Sequence, residues 1–169
     1  MASLIDTLID VLDKENTEYE ALLKLSEEKT SAIVHGDVEK LQEILGAEQK
    51  HIDKIDALDK DRIDAVNDIC SVLKIKDHIK IDDIVELLSS RPKEHDALQK
   101  VHLALKRTLD QLMRINENNK TLLTESMDMI DFELNLARNA YIAPQTTNYG
   151  KSAYEQGSYD GATSFDAKQ

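Results

Sequence analysis

The stretch LQKVHLALKRTLDQLMRINENNKTLLTESMDMIDFELNL (residues 98–136) decides the fold. In it Leu98, Val101, Leu105, Thr108, Leu112, Ile115, Asn119, Leu122, Ser126, Met129, Glu133 and Leu136 follow at alternating steps of three and four. That spacing holds one face of a helix in line over many turns and is the seam of packed, slightly supercoiled helices. Asn116 and Asn119 stand within the apolar file. Amides in a seam hydrogen-bond across a bundle and fix its register, at some loss of stability.

Two more seams precede this one. Leu8, Leu12, Glu15, Tyr19, Leu22, Ser26, Lys29 and Ile33 form the first. Leu41, Leu45, Glu48, Ile52, Ile55, Asp59, Arg62, Val66, Ile69 and Leu73 form the second, with Ile44, Leu58 and Ile63 widening the stripe. Polar seam residues such as Glu48, Asp59 and Arg62 lower stability but penalise wrong registers. Between the first two helices lies His35-Gly36-Asp37. Glycine suits a left-handed helix end, and aspartate accepts from the free N–H groups of the next helix. DDIVELLSS (82–90) reads as a two-turn helix, and Pro92 falls in the first turn of the third long helix, where a missing N–H costs nothing.

These signals predict an all-α fold, an elongated antiparallel three-helix bundle or coiled coil with one short extra helix. The helices span about 3–34, 37–73, 82–90 and 92–142 within a bundle of residues 1–142. From Ala143 the composition turns to Gly, Tyr and polar residues without a period, so 143–169 reads as a disordered, flexible tail.

At about 1.5 Å per residue the three long helices span roughly 48, 55 and 75 Å, so the second covers the third only to about residue 128–130. Leu123, Met127, Ile130, Leu134 and Tyr141 continue the main stripe past that point. Leu122, Met129 and Leu136 recur every seven residues on what reads as a second face, weak upstream of residue 115. A helix needs a second apolar face only where it meets a second partner, and no other helix of the chain is long enough to supply one. Met127 and Met129 suit adaptable contact with varied helices as well as core filling, because thioethers repack cheaply.

Composition excludes other classes. With 5 Gly, 2 Pro, no Trp and 32% charged residues, the chain has helical-bundle chemistry. A net charge of −12 repels phosphate backbones, so neither nucleic acid nor an anionic membrane is an expected partner. No apolar run reaches about 18 residues, so no membrane insertion is expected. The start MASLIDTLIDVLDKEN lacks a basic n-region, and the single Cys70 fits a reducing compartment, together pointing to a cytoplasmic protein.

No chemistry stands out. Glu48/His51 is the only Glu-x-x-His, where a di-iron bundle needs two. His95 and His102 lie too far apart for one metal ion and read as solvated, and Cys70 reads as buried and inert. Ser126 has no His/Asp constellation to activate it. The runs DKENTE and DALDKDRIDA read as solvated faces. The expectation is no enzyme, no catalytic residue, no metal and no cofactor.

The segment NENNKTLLTESMDMI resembles the Asn-x-x-Asn-x-x-Leu-Leu-x-x-Ser-(Leu/Met) signature of the FlgN family. LIDVLDKENTEYEALLKLSEEKTSAIVHGDVEKL is similar to that family's first helix and turn, followed by Glu48 and DKDR at 59–62. YGKSAYEQG and FDAK are similar to its tail, although this tail is longer and richer in tyrosine. The resemblance covers nearly the whole chain. It implies a flagellar type III secretion chaperone without ATPase activity of its own. Such a chaperone binds the C-terminal helical segments of the hook-associated (hook–filament junction) proteins and docks on the cytoplasmic domain of the flagellar export gate.

Carried over residue by residue, Asn116, Asn119, Leu122, Leu123 and Ser126 correspond to the family's marked helix, with Asn116, Asn119 and Ser126 expected to set register. Tyr149 and Gly150 correspond to its tail motif, the expected gate-docking site. The uncovered end of the third helix adds Met127, Met129, Ile130, Leu134 and Leu136 to Leu122 and Leu123 as the expected client-binding residues. The competing expectation is a non-enzymatic structural or adaptor coiled coil that self-associates through the same face, and a homodimer when client-free is compatible with either.

Overall fold

The computed structural model describes residues 2–75 and 79–142. Four α-helices occur among them: α1 (Ala2–His35), α2 (Val38–Leu73), α3 (Ile81–Leu87) and α4 (Pro92–Ile142). The element expected at 82–90 is α3 followed by a 3-10 turn, Leu88–Ser90. The region 143–169, expected to be a flexible tail, lies outside the described residues. The chain divides into two units, Met1–Phe132 and Glu133–Gln169, and the bundle is the first.

Cross-helix pairs give the topology. Lys29 meets Glu48 at 2.6 Å, Glu18 meets Lys54 at 3.3 Å and Glu15 meets Arg62 at 3.1 Å, so α2 runs antiparallel to α1. Thr108 donates to Asn16 at 2.8 Å, and Ser26 donates to Asn116 at 3.0 Å, so α4 runs parallel to α1. The order is up, down, up.

The reversal between α1 and α2 takes two residues. Gly36 has φ 67°, in the left-handed region. Its N–H donates to the Ile33 carbonyl at 3.1 Å and that of Asp37 to Ala32 at 2.9 Å, occupying carbonyls the helix end leaves open. Asp37 then caps α2, its side chain accepting from the Lys40 N–H at 2.9 Å.

The larger core cluster joins Ile5, Leu8 and Leu12 of α1 to Ala65 and Ile69 of α2, Ile84, Val85 and Leu88 around α3, and Leu98 and Leu105 of α4. A smaller one joins Leu22, Ile55 and Leu112. At seven residues α3 is too short to hold itself. Its apolar side packs into the larger cluster, and Asp82 receives Lys106 at 3.0 Å and lies 2.9 Å from His102. His102 is thus mostly buried, not solvated as the sequence suggested, because α3 lies over it. Cys70 is buried.

The two charge runs are also only partly solvated. Glu15, in DKENTE, is 4% exposed, and Arg62, in DALDKDRIDA, bonds both Glu15 and Asp59. Glu18 lies 2.5 Å from His51. The seam position of Glu15, not the polarity of its neighbours, decides its burial.

Burial raises the Glu15 carboxyl above its ordinary range, outweighing the opposing pull of Arg62. A raised folded-state value gives stability that is complete below the unfolded pKa and is lost as pH rises through the folded one. The hydrogen bond with His51, aided by Lys54, lowers the Glu18 value, so its contribution is present above the unfolded pKa and lost as pH falls through the folded one. Comparing wild type with Glu15→Gln isolates the first effect. Wild type should gain stability relative to the variant as pH is lowered from neutrality towards the carboxylate range. Urea midpoints that keep a constant difference across that range would show Glu15 to titrate normally.

Candidate functional site

The candidate site is the stretch of α4 where its cover stops. Pairs between α1 and α4 keep sequence separations of 92, 90, 93 and 89 along their length. At that offset His35, the last residue of α1, falls level with about residue 126 of α4. Burial follows the offset. Leu105, Thr108, Leu112 and Asn119 are buried, Leu122 and Ser126 half-buried, and every residue from Met127 to Phe132 exposed. Cover therefore ends slightly earlier than helix lengths alone suggested.

Just before that limit lies a polar cluster. Asn119 is buried, donates Nδ2–H to the Ser26 carbonyl at 2.8 Å, and accepts at Oδ1 from the Thr30 hydroxyl at 2.5 Å. The Ser26 hydroxyl donates to Asn116 Oδ1. A leucine at position 119 would leave the Thr30 hydroxyl and Ser26 carbonyl without this cross-helix partner, so the cluster favours one register. Ser126 does not cross; its hydroxyl turns back to the Leu122 carbonyl at 2.8 Å on its own helix.

Among the apolar residues singled out from sequence, Leu122 is half-buried, while Leu123, Met127, Met129 and Ile130 are exposed, Met129 at 63%. In the second unit Leu134, Leu136 and Tyr141 are exposed. Tyr149 and Gly150 lie outside the described residues. One point needs correction. The file of Leu122, Met129 and Leu136 is not a separate face, because its upstream members Val101, Thr108 and Ile115 are buried or half-buried in the bundle. It reads as weak upstream only because Thr108 is polar, yet the Thr108 hydroxyl is satisfied by Asn16 and by the Ala104 carbonyl. The outward file is the packed seam itself, continued past its partner.

Phe132, 62% exposed, was missed. Its spacing from Met129 and Leu136, three back and four on, was the available signal. On α2, Leu45 and Ile52 were read as seam positions but are 55% and 40% exposed. Ile52 faces an open groove of about 340 Å³ shared by α1, α2 and α4, with Leu22 and Ile33 of α1, and Leu112 and Leu123 of α4, among its lining. Among the described residues, no group of three or more His, Cys, Asp or Glu is arranged to hold a metal ion, and no helix is long and apolar enough to cross a membrane.

A family described as FlgN protein matches residues 1–157, which takes in all four helices. The chain belongs to the FlgN family. FlgN proteins are flagellar export chaperones, a non-enzymatic class. A Bacillus subtilis (strain 168) protein described as uncharacterized protein YvyG is 28% identical over 145 residues, covering 86% of this chain and 84% of that one. No solved structure matches.

In this FlgN-family bundle the two asparagines have unequal weight. Asn119→Ala should cost about 1–3 kcal/mol, because it strips partners from groups inside the bundle. Asn116→Ala, at an exposed position, should cost under about 1 kcal/mol. Equal losses in urea unfolding would contradict this ranking.

Proposed function

We propose that this chain holds the C-terminal helical segments of flagellar hook-associated (hook–filament junction) proteins, prevents their premature assembly and delivers them to the cytoplasmic domain of the export gate. The observation that carries this reading is the loss of cover on α4. The packed seam continues with Met129 facing solvent, flanked by the exposed Met127, Ile130 and Phe132. Exposed apolar residues in a continuous file mark a surface for association, and an amphipathic helix laid along them is the recognition mode their spacing fits. Leu122, Leu123, Leu134 and Leu136 extend the contact in this proposal, with Asn116, Asn119 and Ser126 setting which face is offered. Met127 and Met129 let one face accept more than one client sequence.

Substituting Met129→Asp together with Leu136→Asp tests the reading. Both positions are exposed, so the pair should shift stability by no more than about 1 kcal/mol. Affinity for a hook-associated C-terminal segment should fall at least about tenfold. A large loss of thermal stability, or unchanged client affinity, would overturn it.

Gate delivery rests on sequence. Tyr149 beside Gly150 has the form of a short docking motif, in which the ring supplies contact area and glycine admits close backbone approach. Tyr149→Ala should leave client binding intact and reduce capture of the chaperone–client complex by the gate's cytoplasmic domain. Undiminished capture would remove Tyr149 from the mechanism.

A further inference from the structure

The groove between α2 and α4 and the acidic character of the uncovered helix together say more about the occupant. Leu45 and Ile52 of α2 are seven residues apart, as are Leu123 and Ile130 of α4, and all four are exposed. Both helices thus show heptad-spaced apolar positions to solvent, and Ile52 and Leu123 line the same groove, with Leu22 and Ile33 of α1 beneath. Two heptad files with no helix against them are the format that a third helix fills by knobs-into-holes packing.

Charge narrows the choice of helix. Between Lys120 and Arg138 there is no basic residue, while Glu125, Asp128, Asp131 and Glu133 occur. In the bundle, carboxylates facing a neighbouring helix have cationic partners: Glu15 has Arg62, Glu48 has Lys29, and Asp82 has Lys106. Glu125, Asp128 and Asp131 are exposed and make no ion pair among the described residues. At about 100° per residue, Asp128 falls about 40° outside Phe132 at one margin of the apolar arc and Asp131 about 40° outside Met127 at the other, while Glu125 lies just inside the first margin. These are the flanking positions that select a partner helix by charge. In the groove itself Glu48 neutralises Lys29 at 2.6 Å and Lys120 stands on the α4 edge, so the acidic excess belongs to the uncovered file beyond Lys120.

We propose that the α2–α4 groove and the uncovered file of α4 form one track for a single amphipathic client helix whose apolar stripe is bordered by lysine or arginine. This rests on the reading that the chain holds a client helix, and adds α2 to the contact and a charge rule to the client. A second copy of this chain is a poor occupant, since it would oppose Glu125, Asp128 and Asp131 with their own like charges, in a molecule of net charge −12.

The probes are two synthetic helical peptides with identical leucine heptads, one bordered by lysine and one by glutamate, titrated into the full chain. The lysine-bordered peptide should bind at least about tenfold more tightly, and lose that advantage between about 50 and 500 mM salt. Asp128→Lys with Asp131→Lys should reverse the preference. Ile52→Asp should weaken both peptides while leaving the melting temperature unchanged.

Equal binding of the two peptides, or an Ile52→Asp variant that binds as wild type does, would overturn the proposal. So would a wild-type chain that sediments as a dimer dissociated by Ile52→Asp, since a second copy would then occupy the track. The two readings fail separately. A hook-associated segment that binds wild type and the charge-reversed variant alike removes the charge rule only. Selective binding of the lysine peptide without any binding of that segment removes the client identity only.

Discussion

Everything distinctive about this molecule follows from the fixed parallel register of α4 on α1. Asn119 holds it, with its amide nitrogen on the Ser26 carbonyl and its oxygen on the Thr30 hydroxyl. Apolar seams tolerate slippage by a heptad, because leucine packs against leucine in either register. A buried amide does not, since any displacement strips Asn119 of the cross-helix partners of both its N–H donor and its carbonyl acceptor. Once the register is set, the end of α1 determines where α4 loses its neighbour, and the exposed apolar residues follow.

The stability of the bundle is accordingly uneven. Around α3, buried aliphatic side chains from all four helices converge. Towards the α1–α2 turn the core thins to Leu22, Ile55 and Leu112, and interhelical contacts there include amides, hydroxyls and the Lys29–Glu48 pair. Polar contacts of this kind add little net free energy but discriminate strongly between arrangements. The bundle is therefore anchored at one end and specified at the other, and its apolar groove opens at the specified end.

The sequence was informative to different degrees along the chain. In α1 the seam positions from Leu8 to Ile33 are all buried or half-buried, and Gly36-Asp37 forms the turn that its residue types demand. These are local rules, satisfied within a few residues. The fate of Leu45 and Ile52 was not legible, because a heptad file looks the same whether its neighbour belongs to the chain or comes from outside. The burial of Glu15 within a charge run, and of Thr108 in the seam, depended on Arg62 and Asn16 on other helices. The candidate site divides the same way. Its apolar residues could be named from spacing alone, whereas the point at which they become exposed required the α1–α4 offset, a tertiary fact.

The tight reversal at Gly36-Asp37 has a consequence of its own. Because two residues suffice to turn the chain, the α1–α2 hairpin has a sharp tip, and that tip acts as a ruler laid against α4. Each turn added to both arms of the hairpin would sheathe about one more turn of α4, and each turn removed would bare one. The extent of the exposed surface is thus written in the length of a different part of the chain. Insertions or deletions near this tip would change how much of the apolar α4 surface is bared, without changing a residue of that surface.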